Sequence, residues 1–108
     1  MATSKEYLTF ILENLSPLDD IDVRAMMGEY ILYYRGKIAA YLCDNRLLVK
    51  PTPSALALLP TAPREAPYEG AKEMLLVGEV DDGEFLCRLF RAIYDELPPP
   101  KEKKRRER

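Results

Sequence analysis

The sequence predicts an α+β fold: a two-layer domain in which an antiparallel five-stranded sheet carries three helices, in the order α–β–β–β–β–α–β–α. Three observations predict it. Apolar residues recur at helical spacing near both ends, over 7–15 and 85–97. Between them, residues 26–50 read as a meander whose strands are separated by two-residue turns, Arg35-Gly36 and Asp44-Asn45. Helices that stand apart from consecutive hairpins pack most simply on one face of the sheet.

The first helix opens at Thr3, which has capping-box spacing to Glu6. Tyr7, Leu8, Ile11, Leu12 and Leu15 then form one apolar stripe, and Ser16-Pro17 stops the ladder of backbone hydrogen bonds. Asp19, Asp20 and Asp22 make an acidic connector. The first strand is expected over Val23 to Met27, turning at Gly28-Glu29. Tyr30 to Tyr34, Lys37 to Cys43 and Arg46 to Lys50 follow as strands two to four. Thr52-Pro53 reads as an N-cap before proline at the first helical position, giving a short helix from Pro53 to Leu59 that Pro60 closes. Residues 61–72, with Pro63, Pro67 and Gly70, read as a loop, and Glu73 to Val77 as the fifth strand. Asp81 and Glu84 again have capping-box spacing. They start a last helix with Phe85, Leu86, Leu89, Phe90, Ile93 and Leu97 on its apolar face. Pro98-Pro99-Pro100 ends it, so the domain is expected over 1–97 and a stiff spacer with a disordered basic tail over 98–108.

With Arg35-Gly36 and Asp44-Asn45 at the turns, Tyr34 faces Lys37, Leu32 faces Ala39, Tyr30 faces Tyr41 and Cys43 faces Arg46. One face then collects Ile31, Tyr33, Ile38, Ala40, Leu42, Leu47 and Val49, the expected core. The other collects Tyr30, Leu32, Tyr34, Lys37, Ala39, Tyr41, Cys43, Arg46, Leu48 and Lys50. Three uses are open to this second face. It is the wet side of an antiparallel sheet, or a surface for another protein or a second copy through Tyr30, Tyr34, Lys37, Tyr41, Arg46 and Lys50, or a base-stacking platform.

Composition narrows the function classes. The chain has 108 residues, 47% hydrophobic and 31% charged, enough for one core. No apolar run reaches the ~20 residues of a membrane helix, and no signal segment opens the chain, so the cytoplasm is the expected location. Cys43 and Cys87 fit no metal or redox spacing and read as reduced, half-buried hydrophobes. There is no histidine and no glycine-rich phosphate loop; the aspartate clusters fit connectors and caps, so neither enzyme nor cofactor is expected. The net charge of −2 divides unevenly. Residues 101–108 hold 6 basic and 2 acidic groups, leaving 10 basic and 16 acidic in residues 1–100. An acidic body argues against a dedicated nucleic-acid domain. The tail residues Lys101, Lys103, Lys104, Arg105, Arg106 and Arg108 keep an accessory nucleic-acid contact as the alternative.

One stretch carries a likeness. Met27-Gly28-Glu29-Tyr30-Ile31-Leu32-Tyr33-Tyr34-Arg35-Gly36, followed by Leu47-Leu48-Val49-Lys50, resembles the N-terminal domain of the TfoX/Sxy competence regulators. Pro67-Tyr68, Gly70-Ala71-Lys72 and the strand from Met74 to Val77 resemble its second half. Met27 stands where phenylalanine is usual, Glu29 and Ile31 where glycines are, and Leu48 where a tyrosine is. The resemblance implies a two-layer α+β fold similar to secretion chaperones. It also implies regulation rather than catalysis, since the family's regulators act with the cyclic-AMP receptor protein at competence promoters. Full-length regulators have a second, C-terminal domain, and this chain is expected to be a stand-alone form.

Overall fold

The computed structural model describes residues 3–99. Its helices begin where a short polar side chain can take up a free N–H. Ser4 caps α1 (Lys5–Asn14) by accepting from the Tyr7 N–H at 3.1 Å, one position after the expected Thr3 cap. Thr52 caps α2 (Pro53–Leu58). Asp82 rather than Asp81 caps α3 (Gly83–Ile93), because its carboxylate is the one that reaches the Phe85 N–H, at 3.1 Å. A 3-10 turn, Tyr94–Glu96, extends α3.

The strands are β1 (Ile21–Met26), β2 (Glu29–Tyr34), β3 (Lys37–Leu42), β4 (Leu47–Val49), β5 (Arg64–Glu65) and β6 (Met74–Val77). They form one antiparallel sheet in the order β1-β2-β3-β4-β6-β5. The expected five strands are thus six. Within the expected loop, Arg64 and Glu65 pair with Leu75 and Met74, a piece too short to show alternation in sequence. The turns at Arg35-Gly36 and Asp44-Asn45 hold, with positive φ at all four residues. The first hairpin instead turns at Met27 (φ 53°) and Gly28 (φ 87°), and Glu29 opens β2. Glycine takes the second left-handed position there at no steric cost.

The expected register holds between β3 and β4, where Cys43 and Arg46 exchange backbone hydrogen bonds at 3.0 Å, but between β2 and β3 it holds only near the second turn. Tyr34 faces Lys37 and Tyr33 faces Ile38, but a bulge then leaves Ala39 without a partner. Beyond it Leu32 faces Ala40, Ile31 faces Tyr41 and Tyr30 faces Leu42. One inserted residue reverses the faces of everything on the turn side of the bulge and all of β2. Tyr30, Leu32 and Tyr34 therefore point toward the helices, joining Ala40, Leu42, Leu47 and Val49, while Ile31, Tyr33 and Ile38 point away. Ala39 and Ala40 are both small enough to be buried against the helices.

The core lies between this sheet face and the helices. Ile11 and Leu15 of α1, Ala55 of α2, and Leu86, Leu89, Phe90 and Ile93 of α3 join the strand residues in one buried cluster. Burying a ring such as that of Phe90 contributes about 1.5–3 kcal/mol. Thr3, freed from capping, is buried. Its hydroxyl donates to Glu29 Oε1 at 2.7 Å, lies 3.1 Å from the Leu42 carbonyl oxygen and accepts from the Asn45 N–H at 3.2 Å.

Candidate functional site

The sheet face turned away from the helices is not evenly wet. At its β3–β4–β6 end, Cys43, Leu48 and Met74 are buried and form a second, smaller cluster with Tyr41 and Leu76. None of the three helices covers them. The segment 66–73 flanks this end of the face, lining one groove with Tyr41 and Met74. Pro67 is buried in it and Gly70, at φ 89°, supports a turn in which the Ala71 N–H bonds the Tyr68 carbonyl at 3.1 Å. The turn brings Tyr68, 58% exposed, beside Tyr41. Between sheet and segment lies a groove of about 340 Å³ lined by Tyr41, Lys50, Pro51, Pro67, Tyr68, Ala71, Lys72, Glu73 and Met74.

The six residues expected on one surface divide at the bulge. Tyr30 is half-buried against the main core. Tyr34 is buried, edge-on to Tyr94 with ring centres 5.4 Å apart. Lys37 lies on the same side, its ammonium 4.2 Å from the Tyr94 ring centre and donating to the Tyr94 carbonyl at 3.0 Å. Tyr34 and Lys37 thus hold the turn that extends α3 against the sheet. Tyr41, Arg46 and Lys50 occupy the open face. Arg46 ties structure together: it donates to the Cys43 carbonyl at 3.1 Å, pairs with Glu65 and lies 3.5 Å from the Ala66 carbonyl oxygen. Tyr41 and Lys50 remain to line the groove. Tyr68, Lys72 and Met74 of the groove were not among the expected surface residues. For Tyr68 and Lys72 the signal was the Pro67-Tyr68 and Gly70 pattern inside a stretch read as loop, while Met74 lay in the expected fifth strand. The tail candidates Lys101, Lys103, Lys104, Arg105, Arg106 and Arg108 lie outside the described residues.

Burial dominates the titration of the groups at this face. Burial pushes the Tyr41 phenol above its ordinary value, helped by the neighbouring phenols of Tyr68 and Tyr33 and by Cys43. Burial also raises the Cys43 thiol, with Glu29 adding to the rise and Arg46 opposing it, so the thiolate is disfavoured. Cys87 is raised by burial against the partial opposition of Arg91. A larger cleft of about 820 Å³ separates the end of α1 from the start of α3. Its polar groups serve the helix ends: Asn14 donates to the Val80 carbonyl at 2.7 Å, and the Cys87 thiol lies 3.6 Å from the Asn14 carbonyl oxygen. Among the described residues, no three His, Cys, Asp or Glu side chains gather as a metal site, and no buried side-chain nitrogen or oxygen lacks a partner. No helix among them is long and apolar enough to cross a membrane.

Fold and face together define a small α+β domain with three helices on one side of an antiparallel sheet and an aromatic, lysine-flanked groove on the other. The chain belongs to the TfoX N-terminal domain family, whose model matches residues 13–96. It is 34% identical over 105 residues to an uncharacterized 12.7 kDa protein in the trpE 5′ region of Spirochaeta aurantia, across 96% of this chain and 91% of the relative. No solved structure matches the chain.

Proposed function

We propose that this chain is a non-enzymatic, cytoplasmic regulatory domain that works by binding another protein in its groove on the open sheet face. The observation that carries the reading is an apolar floor of Tyr41 and Met74 on the side of the sheet that no helix covers. Tyrosine and proline walls suit an extended segment, since they offer apolar area at little conformational cost. Lys50 and Lys72 outnumber Glu73 in the lining, which favours a segment bearing acidic groups. Membership of the TfoX N-terminal family supports regulation, in the manner of the competence regulators that the sequence resembles. The secretion-chaperone-like architecture implied by that resemblance likewise goes with binding.

Capture from nuclease-treated native lysate tests this, comparing the wild-type chain with Tyr68→Ala and Lys50→Glu. Tyr68 is exposed and Lys50 half-exposed, so both variants should keep the wild-type circular dichroism spectrum. Each should retain the same protein about tenfold less well. Undiminished retention by both would overturn the groove as the contact.

A further inference from the structure

The sheet has one unguarded edge. β1 is six residues long, is exposed over all but Ile21 and, among the described residues, pairs only with β2. Natural edges are blunted by brevity, proline, a bulge or charged side chains, lysine above all. The two charges of β1, Asp22 and Arg24, are of opposite sign and so do not repel every incoming strand. The opposite edge, β5, is two residues long. β1 has neither proline nor lysine, and the bulge lies between β2 and β3. Its backbone is therefore ready to accept another strand.

The direction of its free groups is fixed. The Arg35 N–H bonds the Asp20 carbonyl at 2.9 Å, so on an alternating ladder Asp22 and Arg24 also turn their backbone groups toward β2. Ile21, Val23 and Ala25 turn theirs outward. The side chains alternate as well: Asp22 and Arg24 share the open face with their partners Tyr33 and Ile31. Arg24 stays on that face, its guanidinium 5.7 Å from the Tyr33 ring centre. Among the described residues the ion pair is Arg46 with Glu65, and neither Asp22 nor Arg24 takes part in one.

We propose that β1 pairs with β1 of a second copy of this chain, antiparallel about a two-fold axis at Val23, joining the two sheets into one. This register sets Val23 opposite Val23 and Ile21 opposite Ala25. The outward groups of these residues then exchange about six hydrogen bonds, the most any same-face register allows. It also sets Asp22 of each copy opposite Arg24 of the other, in the pair type whose side chains lie closest. Sliding the strands by two residues one way opposes Asp22 with Asp22, and the other way Arg24 with Arg24. The strand is self-complementary in one register alone. Asp20, at φ 63°, ends the pairing by turning the chain out of the strand.

An edge contact buries less surface than a standard interface, so dissociation is expected at about 10–100 µM. Sedimentation equilibrium of the full chain, from about 5 to 500 µM, should show reversible dimerisation. Asp22→Arg or Arg24→Asp places like charges opposite each other twice and should weaken association about tenfold. The double variant swaps the signs and should restore it to within about threefold. An equimolar mixture of the two single variants should associate better than either alone. Should one single variant fail to fold by circular dichroism, the other single and the double carry the comparison. A wild-type chain monomeric throughout overturns the proposal. So do single variants that dimerise like wild type, or a folded double that does not recover.

Discussion

The two ends of the sheet are built on opposite plans. At the β6–β5 end the strands are short, yet Arg46 joins the β3–β4 turn to Glu65 and Ala66, the 66–73 segment flanks the open face, and Leu48 is wholly buried. At the β1 end the strands are long, but little lies outside them, and Val23 and Met26 are each 36% exposed. Strand length and anchoring are thus traded against each other across one sheet. Side chains and loops anchor one end, while the other relies on a single neighbouring strand.

The largest expected contrast is between two truncations. Leu48→Ala should cost about 2–5 kcal/mol, because it empties a buried site on the face without helices. Val23→Ala should cost less than about 1 kcal/mol. Urea unfolding measures both, and similar losses would break the comparison. Next comes Arg46→Ala. Its ion pair is 27% and 36% exposed at the two side chains, so screening and the lost carbonyl contacts together leave about 1 kcal/mol. Amide exchange should quicken over residues 64–66 and stay unchanged in β1; quickening in β1 instead would show that the ends are coupled. The smallest effect is one of pH. Partial burial raises the Tyr41 phenol, so its contribution is fully present below the ordinary tyrosine value of about 10 and is lost as pH rises through the folded-state value. Tyr41→Phe should flatten that alkaline fall in melting temperature, and an unchanged alkaline slope would remove Tyr41 as its source.

Much of the scaffold was legible in the chain, and the reasons are local. Both helical stripes, with Ile11 and Leu15 in one and Phe90 and Ile93 in the other, are spaced as a buried helix face requires. Arg35-Gly36 and Asp44-Asn45 read as tight turns because glycine, aspartate and asparagine tolerate positive φ. Met27 hid its own turn, since a methionine in that conformation is uncommon. The bulge left no trace because Ala39-Ala40 are alike in size and polarity, so the alternation around them fits two registers. That one ambiguity put Tyr30, Tyr34 and Lys37 on the wrong face. The groove was out of reach for another reason: Tyr68 meets Tyr41 through a loop whose path depends on contacts remote in sequence.

The hydroxyl of Thr3 meets groups 26, 39 and 42 positions further along the chain. Contacts of that span are entropically dear until the intervening chain has already been brought together. Glu29, Leu42 and Asn45 become neighbours only once the meander has closed. In folding, the amino terminus is therefore expected to lock last, a clasp that fastens on a sheet already formed rather than a seed from which it grows.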